Sequence, residues 1–202
     1  TQPGKREYSP YPEQTFPNRV YFGDTHCHTT NSADAGMVGN SLGPDEAYRF
    51  AKGETVTSST GLRTRLARPL DFLVISDHAE NLGLAPLLEA KDETLLSTEF
   101  GRKLRAALDA GDPALAWSIW SESKSTGKDP LADHPEIYRT AWSRITQAAE
   151  DHNQSGLFTA FIGFEWTSNP ARNNLHRNVI FRGGKRNADT ICKLPLAWDR
   201  VK

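Results

Sequence analysis

Cysteine, methionine and long apolar runs are all scarce in this sequence. Its 202 residues include 2 cysteines and 1 methionine. No disulfide framework can therefore staple the fold, although a single Cys27–Cys192 bridge stays open. No unbroken apolar run exceeds 4 residues, Phe72-Leu73-Val74-Ile75 being the clearest, whereas a bilayer span needs roughly 20. Charge of one sign is missing as well. With 24 basic and 25 acidic residues the net charge is -1, which leaves no footprint for nucleic acid or an anionic membrane. Leu, Ile, Val and Phe supply only 41 residues, near the composition of disordered chains. The near-neutral charge removes the other half of that signature, and a chain this long can bury a core. Its start at Thr1 without Met, followed by Pro3, Pro10, Pro12 and Pro17, reads as a chain trimmed of a leader.

Residues 1–18 carry no periodicity and are expected to be surface coil, with one domain over 19–202. Val20-Tyr21-Phe22 leads into Gly23-Asp24-Thr25-His26-Cys27-His28, the pattern of a buried strand arriving at a site. A polar loop follows, then Pro44-Asp45-Glu46 opens a helix to about Lys52, stopped by Gly53. The alternation over Val56–Leu66 predicts a hairpin around Thr60-Gly61. Leu70–Ile75 is apolar on both faces apart from Asp71, as a parallel strand covered by helices would be, and it ends in Ser76-Asp77-His78. From Leu82 to Asn153 the pattern is helical, broken at Gly111-Asp112-Pro113 and around Gly127. Its last helix carries a stripe of Tyr138, Ala141/Trp142, Ile145 and Ala148/Ala149. Two more strands are expected, Leu157–Phe164 ending at Glu165, and Leu175–Phe181.

Four strand candidates thus place His, Asp or Glu beside them: His26 and His28, Asp77 and His78, Glu165, and His176. In alternating β/α architectures the C-terminal ends of parallel strands gather on one face, where sites are built from several strands at once. Imidazole and carboxylate together suit Zn, Mn or Fe. The strand period of two aims His26 and His28 to one side and Cys27 to the other, so Cys27 is read as core. Taken singly, a His-x-His or an Asp-His is more often polar surface or a satisfied core pair. Taken together, titratable groups at the ends of apolar strands would be costly to bury without a purpose.

Gly23-Asp24-Thr25-His26-Cys27-His28-Thr29, with Ser32 and Asp34 following, resembles the first motif of the PHP (polymerase and histidinol phosphatase) superfamily of metal-dependent phosphoesterases. Asp71–His78 is similar to its second motif. The stretches Pro44–Gly53, Asp77–Glu80, Gly163–Trp166 and Asn174–Asn178 resemble more narrowly its uncharacterised DUF3604 branch. The resemblance covers about Arg19 to Gly183, with a helical insert at about 90–135 the least informative part. It implies a distorted (β/α)7 barrel with up to three divalent ions at the strand C-termini. On that pattern His26 and His28 would share a first metal with bridging Glu165, Asp34 and His78 would hold a second, and Glu165 with His176 would serve a third. Asp34 departs from the many relatives that have His there. The superfamily also supplies a further His and a late Asp-x-His, which Phe181–Lys202 does not offer. The chain is accordingly expected to be the N-terminal portion of a barrel that alone binds metal weakly.

Asp24 and Asp77 adjoin ligands, as carboxylates that orient imidazoles or as turn carboxylates. Glu80 is a pocket-lining or helix-capping candidate. Arg172 and Arg177 are candidates for anchoring a substrate phosphate through a planar fork, or for plain solvation. His134 and His152 are assigned to helix ends. The activity implied is metal-assisted hydrolysis of a small, phosphorylated substrate by an activated water. Two alternatives stay open: attack on a non-phosphate ester or amide, and a metal-binding or structural module without turnover. The DUF3604 resemblance and the chain start favour an exported bacterial protein.

Overall fold

The computed structural model describes residues 20–126, 128–168 and 173–191. The expected coil at 1–18, Gly127, Arg172 and Cys192 lie outside the described residues. In chain order the elements are β1 (Gly23–Cys27), α1 (Ala33–Gly36), α2 (Pro44–Ala51), β2 (Val56–Thr57), β3 (Arg63–Thr64), β4 (Phe72–Ile75), α3 (Leu84–Glu89), α4 (Glu93–Ser97), α5 (Glu99–Asp109), α6 (Pro113–Thr126), α7 (Pro135–His152), β5 (Thr159–Ser168), β6 (Leu175–Ile180) and α8 (Lys185–Ile191).

Four strands form one mixed sheet in the order β1-β4-β5-β6, and β2 pairs with β3 as the expected small hairpin. The first three strands of the sheet are parallel, while β6 runs antiparallel to β5. The sheet curls into half of a barrel wall. Its curl brings the Asn178 amide on β6 to within 2.7 Å of the Thr25 carbonyl on β1, so the last strand donates a hydrogen bond to the first. A closed seven-strand barrel is not formed by the described residues.

Tertiary context revises two of the strands. The first strand starts only at Gly23, and it is an exposed edge rather than a buried strand, because it has a partner on one side alone. Val20, Tyr21 and Phe22, read as its apolar body, are exposed. The last strand is likewise an exposed edge and antiparallel, not a buried parallel strand. That reversal has a use: an antiparallel β6 begins where β5 finishes, with Thr167 opposite His176 and Ser168 opposite Leu175. His176 therefore reaches the C-terminal end of the sheet from the start of its own strand.

The interior follows the sequence pattern closely. Leu73, Val74 and Ile75 of β4 are buried, as a strand with a parallel neighbour on each side should be. The stripe of α7 is buried at Tyr138, Ala141, Trp142, Ile145 and Ala149 and packs on β5. Each large apolar side chain so buried contributes about 1.5–3 kcal/mol. Helix α2 begins at Pro44 and ends at Ala51, with Lys52 capping and Gly53 at a positive φ of 79°. Its Tyr48 hydroxyl donates to the Phe161 carbonyl, tying the helix to the sheet. The insert supplies α4, α5 and α6, which pack on one another in sequence.

Gly163 marks the tightest point of the sheet. A Cβ there would lie 2.6 Å from Val74 Cγ1 and 2.9 Å from the Val179 carbonyl oxygen, contacts that a packed sheet cannot accept without moving a strand. Gly163→Val is therefore expected to cost about 1–3 kcal/mol or more, read as a lower urea midpoint at unchanged slope.

Candidate metal centre

Past Ile75 the chain stays buried through Gly83 without a further helix or named strand. A buried loop must find internal partners for its polar groups, and here those partners build the site. The strand ladder continues through the loop: Ser76 N–H donates to the Cys27 carbonyl, Glu165 N–H to the Asp77 carbonyl, and Ala79 N–H to the Glu165 carbonyl. His78 and Glu165 thereby face each other as a parallel bridge. Glu165 is not past the end of β5, as its sequence position suggested, but inside it.

Around the Glu165 carboxylate, 1 % exposed, four imidazoles converge. His26 Nε2 and His28 Nε2 lie 2.9 and 2.8 Å from Oε2, and 3.1 Å from each other. His78 Nε2 is 3.6 Å from the same oxygen. His176 Nδ1 contacts the other oxygen, Oε1. On the near side His28 Nδ1 is 3.1 Å from Asp34 Oδ1, and His78 Nε2 is 3.4 Å from Asp34 Oδ2. Three overlapping groups result: His26, His28 and Glu165; His28, Asp34 and His78; His78, Glu165 and His176. All six residues proposed as ligands from the sequence are brought together.

The separations fit a divalent ion. Ligands held at roughly 2.0–2.1 Å stand about 3.0 Å apart around an octahedron and about 3.4 Å apart around a tetrahedron. The His26–His28–Glu165 triangle has edges of 2.8, 2.9 and 3.1 Å. The atom count imposes a further limit. A neutral imidazole offers one lone pair, so His28, which shows Nε2 to Glu165 and Nδ1 to Asp34, can be a ligand in one of its two groups and a hydrogen-bond donor in the other.

Behind the ligands sit the groups that aim them. Glu80 is buried; its Oε2 lies 3.1 Å from His78 Nδ1 and its Oε1 accepts from the Thr167 N–H. It therefore backs His78. Asp77 does not touch an imidazole: its carboxylate accepts from the N–H and hydroxyl of Thr29, at 2.5 and 2.7 Å, and so pins the loop after His28. Asp24 accepts from the His26 N–H at 2.8 Å, a turn contact. Arg177 lies over Trp166, its cross-strand partner. Strand alternation puts it on the face opposite His176, away from the centre. Cys27 is half-buried against the core with a free thiol. His134 contacts Glu136, and His152 pairs with Asp45 at 2.8 Å, both at helix ends remote from the ligands.

Two contributors had no role assigned from the sequence, Ser32 having entered only as part of a motif. Thr167 places its hydroxyl 3.1 Å from His78 Nδ1 and 3.0 Å from His176 Nδ1, linking the two imidazoles. Its position two residues beyond Glu165 on one strand was the available signal. Ser32 donates to Asp34 at 2.6 Å and accepts from the His78 N–H at 3.0 Å.

Charge follows geometry. Burial pushes the Cys27 thiol up to about 12, helped by Asp77 and Asp24, so it stays a neutral thiol. Burial raises the Asp77 carboxyl to about 6 against its two Thr29 bonds. For Asp34 burial works upward, but bonds to His28, His78 and Ser32 prevail and hold it well below the carboxylate range. Glu165 behaves in the same way, its imidazoles outweighing burial. Burial would lower His78, yet Asp34 and Glu80 lift it to about 9.

A family model described as a protein of unknown function (DUF3604) matches residues 15–199. No curated protein and no solved structure matches the chain. Among the described residues no helix is long and apolar enough to cross a membrane.

Since the His78 imidazole holds its proton up to about 9 in the ion-free protein, a metal that takes Nε2 must expel it. Zinc affinity, measured by competition with a chromophoric chelator, is therefore expected to climb with pH through neutrality and level off near that value. Calorimetry in buffers of different ionisation enthalpy should show proton release. Glu80→Gln is expected to weaken zinc binding by about 10- to 100-fold through lost orientation of His78.

Proposed function

The chain belongs to the DUF3604 family, and from that premise we propose that it is a metal-dependent hydrolase of phosphoesters, of the PHP type. The observation that carries the reading is the set of three overlapping ligand groups, two of which share the Glu165 carboxylate. Shared ligands place ions close together, the arrangement suited to an in-line displacement at phosphorus. Motif resemblance to the PHP superfamily and its (β/α)7 barrel supports the same conclusion, as does the half-barrel sheet with its ligands at one end.

Bound dications would lower the pKa of a water toward about 7 and offset charge on phosphoryl oxygens. The protein's own groups have separate tasks. Glu165 directs one oxygen to His26, His28 and His78 and the other to His176, so it can join neighbouring ions. Glu80 and Thr167 hold Nδ1 of His78 and leave Nε2 facing Asp34 and Glu165. The His26 and His176 side chains, 49 and 42 % exposed, form the rim through which a substrate would enter. No side-chain nucleophile is required, and the neutral Cys27 thiol faces away.

Elemental analysis of purified protein and a metal-dependent screen of phosphoesters test the proposal. Turnover should require Zn, Mn or Fe and disappear with chelator. Glu165→Gln and His26→Ala should each lower it at least about 100-fold, since they remove ligands rather than the groups behind them. Hydrolysis of carboxylic esters or amides but not phosphoesters would move the site to acyl chemistry. Stoichiometric metal without any turnover would make it a binding module.

A further inference from the structure

The chain leaves the sheet after Ala79, whose N–H bonds the Glu165 carbonyl. Glu80 comes next and backs His78 Nδ1 at 3.1 Å. Asn81 then turns the backbone at a positive φ of 56°, a conformation that residues with a Cβ seldom adopt and that persists only where the surroundings impose it. Asn81 is 0 % exposed, and its carbonyl accepts from the Leu84 N–H to close the turn. Its side-chain amide donates to the Tyr138 hydroxyl at 3.1 Å, and its Oδ1 has no partner among the described residues. The bond to Tyr138 therefore orients that amide. Tyr138, 0 % exposed on α7, has one proton and gives it to Asp129 Oδ1 at 2.6 Å. Asp129 lies in the connection between α6 and α7 and is fixed in turn by the Leu131 N–H. The hydroxyl can only accept from Asn81, so the bonds run one way, from Asn81 to Tyr138 to Asp129. Gly83 brings the loop onto the same helix: a Cβ there would lie 2.7 Å from Ala141 Cβ. Glu80 thus stands between two fixed points, Ala79 held by the sheet and Asn81 held by α7.

We propose that Tyr138 is a positioning residue for the metal centre: acting through Asn81, it holds the left-handed turn that aims the Glu80 carboxylate at His78. The proposal rests on the metal-binding part of the reading above and is independent of the substrate. It gives α7 and the connection before it a part in the site, although neither supplies a ligand.

Zinc is the probe for affinity. Amide hydrogen exchange at Thr167 is the probe for Glu80, because that N–H donates to Glu80 Oε1. Tyr138→Phe should weaken zinc binding about 10-fold, within the range for groups that orient a ligand, and should speed exchange at Thr167 by a similar factor. The Glu165 amide, bonded to the Asp77 carbonyl on the same strand, should exchange as in wild type. Asn81→Gly, which permits the turn but is not held in it, should act like Tyr138→Phe. In a Glu80→Gln background Tyr138→Phe should cost no further zinc affinity, since the group it acts through is already lost. Thr146→Val breaks another bond of α7, to Asp189, and should lower the thermal midpoint while changing neither readout. A Tyr138→Phe protein that is less stable but binds zinc and protects Thr167 as wild type does would overturn the proposal, and so would zinc losses that add in the double variant. Exchange at Thr167 that depends on Tyr138 in a protein that takes up no zinc would sustain the aiming of Glu80 and overturn the metal reading instead.

Discussion

A carboxylate buried inside a β-strand is the constraint from which the site is built. Glu165 is 1 % exposed, and an isolated ionised carboxylate in such a place would be prohibitively costly. The chain answers with imidazoles from three directions: His26 and His28 from β1 and its end, His78 from the loop after β4, and His176 from the start of β6. Each of those segments must stop at the same level of the sheet. This is why the ladder runs on past Ile75 to the His78–Glu165 bridge and why β6 returns antiparallel. Imidazole is also a partner for a buried carboxylate that can hand its place to a divalent ion, since it becomes a ligand by losing a proton. Lysine or arginine at the same positions would neutralise Glu165 and bind nothing.

The polar loop beside this carboxylate illustrates how stability and function share groups. Residues 76–81 are buried, and most of their side chains find a specific partner: Asp77 with Thr29, His78 with Glu80 and Thr167, Glu80 with Thr167 N–H, and Asn81 with the Tyr138 hydroxyl. The Tyr138 hydroxyl in turn donates to Asp129 at 2.6 Å. A network of this kind fixes one arrangement because breaking any member strands its partner in a low dielectric. The same connections fix the tautomer of His78. Its Nδ1 is committed to Glu80 and Thr167, so Nε2 is the atom left for the centre.

How much of this was legible in advance depended on the range of the interaction. The apolar run at Leu73–Ile75, the stripe of α7, the Pro44 helix start and the Thr60-Gly61 turn are local patterns, and each is found where the pattern put it. Five of the six candidate ligands were legible because polar groups at the ends of apolar strand patterns are conspicuous, whereas Asp34, on α1, entered only through the motif resemblance. The status of β1 and β6 as exposed edges was not, since edge or centre is decided by the number of neighbours a strand acquires, which no strand encodes by itself. The same limit explains why the roles of two carboxylates stayed open in the sequence. Asp77 adjoins His78 in sequence and Glu80 lies two residues on, yet Glu80 touches its ring while Asp77 reaches across to Thr29, a difference set by side-chain direction after folding. Thr167 carries no unusual signal as a residue; its meaning comes from the two imidazoles its hydroxyl meets.

The distribution of charge across the centre separates chemistry from recognition. The floor is acidic, with Glu165 buried and Asp34 held ionised by its partners; the rim is imidazole, half-exposed at His26 and His176. Ions seated there would consume the charge of the floor and leave the open side with no fixed cation supplied by the strands, because β6 turns Arg177 onto Trp166 on its outer face. Strand ends are confined by the ladder and are suited to holding ligands at ångström precision, whereas an inserted helix can vary in length and sequence without disturbing that geometry. On the proposed hydrolase reading the sheet would hold the ligands, and selection of a substrate would fall to segments outside the ladder.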